Sequence, residues 1–199
     1  MPIWLGSLVS DRNTDIATRR QLDVRAKYRS SREAEARLLL LIDGFSRDSK
    51  GPRSLEGRVK LAKLDFYLRY PKHLAETLRA RGVSEKTRES LVQQDNPLES
   101  RMVRYRYGPW DPSHFAVLGS LIGRGLVEVV PSAATRALGY RTTARGAEFA
   151  NRLREDGAFE EVTDRVSLLR THLDLTGEGL KKIVYQLPDV SDAAWHEEI

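Results

Sequence analysis

The sequence predicts a mainly helical fold with one small β-hairpin, and three observations carry the prediction. Ser30-Ser31-Arg32-Glu33 has capping-box spacing just before a run of Ala and Leu. Residues 56–70 carry Val59, Leu61, Ala62, Leu64, Phe66, Tyr67 and Leu68 on more than one helical stripe, which reads as a helix covered on several sides. After Asp111-Pro112, a helical pattern, a short strand, a polar loop, a return strand and a capped helix follow one another.

Taken in order, Ser30 should accept from the helix it opens while Glu33 reaches back, giving a helix over 31–42 closed by Asp43-Gly44. Upstream, residues 15–29 read as a charged, weakly apolar helix. Pro71 stops or kinks the 56–70 helix, because it lacks a donor and crowds the preceding turn. Asp65 and Arg69, one turn apart, can pair on the face left open. A helix resumes over 72–80, with Leu74 and Leu78 on one side and Gly82 placed as its stop. Residues 83–96 are ambiguous between helix and strand.

Residues 101–107 alternate, with Val103, Tyr105 and Tyr107 on one side and Met102, Arg104 and Arg106 on the other, which is a strand period. Gly108-Pro109-Trp110 reads as a turn and Asp111-Pro112 as an N-cap followed by the first helical residue. That helix should run through Phe115, Leu118, Leu121 and Ile122 to Gly123 or Gly125. A strand over 126–130, a loop over 131–139 and a return strand at 140–142 form the hairpin, and Thr143 caps a helix over 144–155. In this order the pieces make a winged-helix core. They divide the chain into a helical N-terminal extension (1–56), a winged-helix domain (57–157) and an acidic helical C-terminal segment (158–199).

Charge follows the same division. Residues 1–56 carry 11 basic and 8 acidic side chains, 57–157 carry 18 and 11, and 158–199 carry 4 and 9, so a basic middle is followed by an acidic end. A basic middle can neutralise phosphates, and it can equally be an ordinary solvated surface. The 199 residues contain no cysteine, which removes disulfides, thiolate metal sites and cysteine nucleophiles. The four His show no i, i+4 pair that would aim two rings at one metal. No apolar run approaches the roughly 20 residues of a membrane span, and residues 1–10 lack a basic region ahead of an apolar one, so a soluble cytoplasmic chain is expected.

A helix that enters the major groove ahead of a wing normally offers Arg, Lys, Asn or Gln to bases and phosphates. Here residues 112–124 offer only Ser113, His114, Ser120 and Arg124. With Phe115, Leu118 and Ile122 turned to the core, His114, Val117 and Leu121 should face outward beside the small Gly119 and Gly123. Such a surface suits another polypeptide, or the chain's own terminal segments. Leu180, Ile183 and Val184, in an amphipathic stretch, form a second partner-binding candidate. For DNA the candidates are Arg104 and Arg106 on the first strand and Arg136, Arg141 and Arg145 around the hairpin, able to touch phosphates without reading sequence.

No phosphate loop, dinucleotide fingerprint or nucleophile elbow is present, so neither a catalytic residue, a cofactor nor a metal is expected. Gly119, Gly123 and Gly125 sit late in a helix and before a strand, the reverse of the order that holds phosphate at a helix N-terminus.

Four stretches, read together, carry a resemblance: Leu61-Ala-Lys-Leu-Asp-Phe-Tyr-Leu-Arg-Tyr-Pro71, Arg104-Tyr-Arg-Tyr-Gly-Pro-Trp-Asp111, Leu180-Lys-Lys-Ile-Val-Tyr185 and Trp195-His-Glu-Glu-Ile199. The chain resembles the middle component of bacterial ABC-three-component systems, and is similar in the same way to the small accessory subunit of Lamassu-type anti-phage defence complexes. The resemblance covers most of the chain after its first thirty or so residues. It implies a non-catalytic subunit with a winged-helix core that binds an SMC-like ABC ATPase and helps hold or release an effector nuclease. Element order and the basic middle leave a winged-helix DNA-binding transcriptional regulator as the alternative.

Overall fold

The computed structural model describes residues 31–47, 51, 53–92, 102–105, 108–132 and 137–199. The helix expected over 15–29, Ser30, Arg106 and Arg136 lie outside them. Ser31 accepts from the Ala34 amide at 3.0 Å and caps α1 (Arg32–Ser46), one residue later than the capping-box reading places the cap. Asp43-Gly44, expected to close this helix, lies inside it. The reason is tertiary. Gly44 is where the chain lets Val166 in, since an ideal Cβ there would fall 2.3 Å from Val166 Cγ1. Asp43 is fully buried and takes bonds from Thr142 Oγ1 at 2.9 Å and from Arg47 Nε and Arg154 Nη2 at 2.6 Å each.

A two-residue strand, β1 (Leu55–Glu56), leads through Gly57 at φ +77° into α2 (Arg58–Arg69), which is buried from Lys60 to Leu68, as its all-round apolar pattern predicts. Pro71 breaks the helix rather than kinking it and serves as the first residue of α3 (Pro71–Ala80). Gly82 follows at φ +75°, and α4 (Glu85–Val92) fills part of the stretch whose sequence is ambiguous. Of the strand expected over 101–107, the described part is β2 (Val103–Tyr105), which starts after Met102 and pairs antiparallel with β3 (Gly108–Trp110), Val103 opposite Trp110. Gly108-Pro109-Trp110 is therefore a strand and not a turn. Pro109 is tolerated because it lies on β3, the outer strand of the ribbon. The free side of β2 is taken by the chain's last residues, through Arg104 N to Glu197 O at 2.8 Å, His196 N to Arg104 O at 2.9 Å and Ile199 N to Met102 O at 2.8 Å.

Asp111-Pro112 makes the entry turn, with Asp111 Oδ1 accepting from Ser113 N at 2.7 Å, and α5 (His114–Gly123) starts two residues later than expected. The hairpin follows as β4 (Val127–Pro131) and β5 (Leu138–Thr142), with Val129 opposite Tyr140. Thr143 then caps α6 (Ala144–Glu155) through Gly146 N at 3.0 Å, as its sequence predicts. A 3-10 turn (Gly157–Phe159) leads to α7 (Glu160–His172), α8 (Gly177–Val184) and the short α9 (Pro188–Ser191).

The fold is thus mainly helical with a small antiparallel sheet of strand order β1-β5-β4 and a separate two-stranded ribbon. Leu55 pairs with Tyr140, so β1 stitches the segment after α1 onto the hairpin. One hydrophobic cluster runs from Ala34 to Val190 and takes residues from all three stretches into which charge divides the chain. Among the described residues, no helix is long and apolar enough to cross a membrane.

Candidate functional site

The helix ahead of the hairpin carries the arrangement with the clearest functional content, and a buried polar cluster sets its orientation. Arg37 of α1 binds Asp65 of α2 at 2.7 Å, and Arg69, one turn further along, binds Asp111 at 2.5 Å. The partner given to Asp65 is thus on another helix, and Arg69 reaches the entry turn of α5. His114 follows that turn into the same cluster and is 3% exposed, with its Nε2 buried and without a hydrogen-bond partner. Burial pushes His114 below the ordinary imidazole value, against the pull of Asp65 and Asp111. Burial opposes ionisation of Asp65 too, but the charges of Arg37, Arg69 and His114 outweigh it and hold the carboxyl below its ordinary value.

With His114 inward, helical spacing decides the rest. Val117, Leu118 and Leu121 are buried, and Phe115 and Ile122 are 53% and 37% exposed. This corrects the expected orientation: Leu118 does face the core, but His114, Val117 and Leu121 join it there, and Phe115 and Ile122 stand outside. The outward face therefore reads Phe115, Gly119, Ile122, Gly123, all exposed. A Cβ at Gly119 or Gly123 would meet nothing within 4 Å. The face is apolar at two points and notched between and beyond them, without a cation of its own.

Its surroundings come from distant sequence. The Arg58 guanidinium stands 5.3 Å from the Phe115 ring centroid, and the Trp110 ring lies 5.2 Å from it at a tilt of 57°. At the other end, Arg124 pairs with Glu35, which also accepts from Ser120 at 2.7 Å. Neither Arg58 nor Trp110 carries a local signal for this role, because only the packing of α2 and β3 against α5 brings them there.

The second expected partner set lies in the core as well. Leu180 and Val184 are 0% exposed and Ile183 is half-buried, because α8 lays this stripe on α2. The Thr176 hydroxyl caps α8 from Gly179 N at 3.1 Å.

The arginines expected at DNA divide. Arg104 is committed within the chain, its Nε donating to Val190 O at 2.9 Å and its guanidinium standing over the Tyr185 ring at 5.7 Å. Arg141 pairs at 2.7 Å with Glu128, its cross-strand partner in the hairpin. Arg145 is exposed in the first turn of α6. Arg106 and Arg136 lie outside the described residues. Among the described residues, no three His, Asp or Glu side chains converge as a metal ion would require. Set against protein-family models, curated proteins and solved structures, the chain matches none.

Proposed function

We propose that this chain is a non-catalytic interaction subunit on a winged-helix-like scaffold, and that the outward face of α5 is where a second polypeptide binds. The scaffold reading equates α1, β1, α2, α5 and the β4–β5 hairpin with the elements of a winged helix, α3, α4 and the β2–β3 ribbon being inserted ahead of α5. The sheet order β1-β5-β4 supports it, because the short strand after the first helix pairs with the second strand of the wing.

One observation carries the functional reading: the outward positions of α5 are Phe115, Gly119, Ile122 and Gly123, with no amide or cation to read a base edge. Apolar anchors beside glycine notches let another backbone or helix approach closely. The resemblance of the Leu61–Pro71, Arg104–Asp111, Leu180–Tyr185 and Trp195–Ile199 stretches gives the partner: an SMC-like ABC ATPase in a bacterial anti-phage or anti-plasmid defence complex that also contains an effector nuclease. Exposed Arg145 leaves room for nonspecific contact with DNA phosphates beside the protein contact. A sequence-reading transcriptional regulator is disfavoured by the same outward face.

Co-expression with an SMC-like ABC ATPase encoded beside this chain tests the reading. The pair should co-elute even in roughly 1 M salt, where screening acts within about 3 Å and apolar contact persists. Separate elution at every concentration overturns it. Binding to one duplex a thousandfold or more above random duplexes would favour the regulator.

A further inference from the structure

Residues 196–199 run antiparallel along the free edge of β2, with Val103 opposite Glu198. Main-chain bonds provide most of the hold. Arg104 N donates to Glu197 O at 2.8 Å, His196 N to Arg104 O at 2.9 Å and Ile199 N to Met102 O at 2.8 Å. The Tyr70 hydroxyl, from the end of α2, joins the two segments, donating to Ile199 O at 2.9 Å and accepting from Met102 N at 2.7 Å. Side chains add little: from Asp192 to Ile199 only Ala193 and Ile199 are half-buried, and the others are exposed. An edge that holds a strand through its backbone accepts the same strand from a second chain equally well.

A tight turn returns this strand to its own β2. Glu197 N donates to Ala194 O at 3.1 Å, which closes a four-residue turn with Trp195 and His196 at its centre. His196 stands at φ +67° and is, among the described residues, the one residue other than glycine at positive φ. That conformation at the third position of a turn favours Gly or Asn, so a histidine there is strained. Only Asp192 and Ala193 separate the turn from α9, which leaves little chain over which the strain can spread. The Trp195 ring lies 6.0 Å from that of Tyr105 but is 61% exposed, so its packing does little to hold the turn shut. A strand that crossed to a neighbouring copy would keep the edge bonds and release the turn. Short strained hinges favour such an exchange.

We propose that the free edge of β2 is a strand-binding site and that a second copy of this chain fills it with its own residues 195–199, each copy giving its strand to the other. The exchange is reciprocal, so the pair is closed and two-fold. It forms through β2 and residues 192–199 and makes no use of the α5 face.

Size-exclusion chromatography with light scattering of the full chain, over a roughly thousandfold range of concentration, should show a monomer passing to a dimer. His196→Gly relaxes the turn in each monomer and should raise the dissociation constant roughly tenfold or more, because two turns open for every dimer formed. The chain has no cysteine, so Val103→Cys combined with Glu198→Cys offers a single thiol pair, at facing positions between two bonded rungs where cross-strand Cα atoms are closest. Oxidised in dilute solution, this variant should lock as a monomer that no longer dimerises when concentrated. Oxidised after concentration, it should give a disulfide-linked dimer. A parent chain that stays monomeric throughout overturns the proposal, as does a locked monomer that still pairs or an unchanged dissociation constant in His196→Gly.

Discussion

The carbonyl oxygen of Leu126 occupies the space that a side chain at Gly146 would need, 1.9 Å from the position of an ideal Cβ. The same oxygen accepts from Thr143 N at 3.1 Å, and Thr143 caps Gly146 N, so the start of α6 is locked onto the start of the β4–β5 hairpin. Backbone cannot swing aside as a side-chain tip can. Gly146→Ala should therefore cost about 3 kcal/mol or more, at the upper end of overpacking costs, whereas Thr143→Ala should cost about 1 kcal/mol, as a lost cap does. Equilibrium urea unfolding of both variants checks the order. A Gly146→Ala midpoint equal to the parent's would contradict the geometry.

Gly119 and Gly123 are the opposite case, glycines with open space around them on an exposed helix face. Alanine at either position should stabilise the isolated chain by up to about 1 kcal/mol through helix propensity and a less flexible unfolded state. On the proposed reading the same methyl groups fill the notch a partner uses, so affinity for the ATPase should fall while the melting temperature rises. Paired thermal melts and pull-downs separate the two effects. Raised stability with undiminished binding would move the partner to another surface.

These glycines show how much was legible in the sequence and why the rest was not. Thr143 and the 144–155 helix could be read because a cap and a clear period sit side by side, with nothing distant needed. The direction of α5 could not, because apolar residues surround that helix and its period selects no face. The choice is made by His114 entering the Arg37–Asp65 and Arg69–Asp111 cluster, whose members come from three other parts of the chain. Asp43-Gly44 misled for a related reason: a pair that usually ends a helix was retained inside one by Val166, Thr142, Arg47 and Arg154. The outward face of α5 is consequently the opposite of the one its sequence suggests, with Phe115 and Ile122 outside and His114, Val117 and Leu121 buried.

That buried cluster gives a prediction of its own. Asp65→Asn takes from buried Arg37 the carboxylate it binds at 2.7 Å and should cost about 3–5 kcal/mol, as breaking one half of a buried pair does. Acid should weaken the fold in two steps. His114 and His73, both lowered by burial, are kept neutral by the fold, so their contribution is complete above the unfolded value of 6.5 and is lost as pH falls below it. Asp65 is held low, so its contribution is present above the unfolded carboxylate value of 3.8 and disappears as pH falls through the depressed one. Urea midpoints measured from pH 8 to pH 3 should be flat first and then fall in these two ranges. In His114→Leu the first fall should shrink to the share of His73, and an unchanged profile would show that His114 does not titrate against the fold.

Lys63 reverses the usual expectation for a cation on a helix. It is 1% exposed, and burial, assisted by the charge of Lys181 and opposed by that of Glu178, pushes it from 10.5 down to about 8. The unfolded chain therefore binds the Lys63 proton more tightly than the folded one, and stability should rise as pH increases from about 8 toward 10.5. Lys63→Met keeps the stem's packing and removes the charge, so at pH 7 the variant should be more stable, by roughly 1–3 kcal/mol. The gap should then narrow steadily with pH. Tyr67, raised by burial from 10.0 to about 12, costs stability once the pH passes its unfolded value, so the comparison belongs between pH 7.5 and 10.0. Within that range, parallel stability curves for parent and variant would mean that Lys63 finds solvent when it is charged.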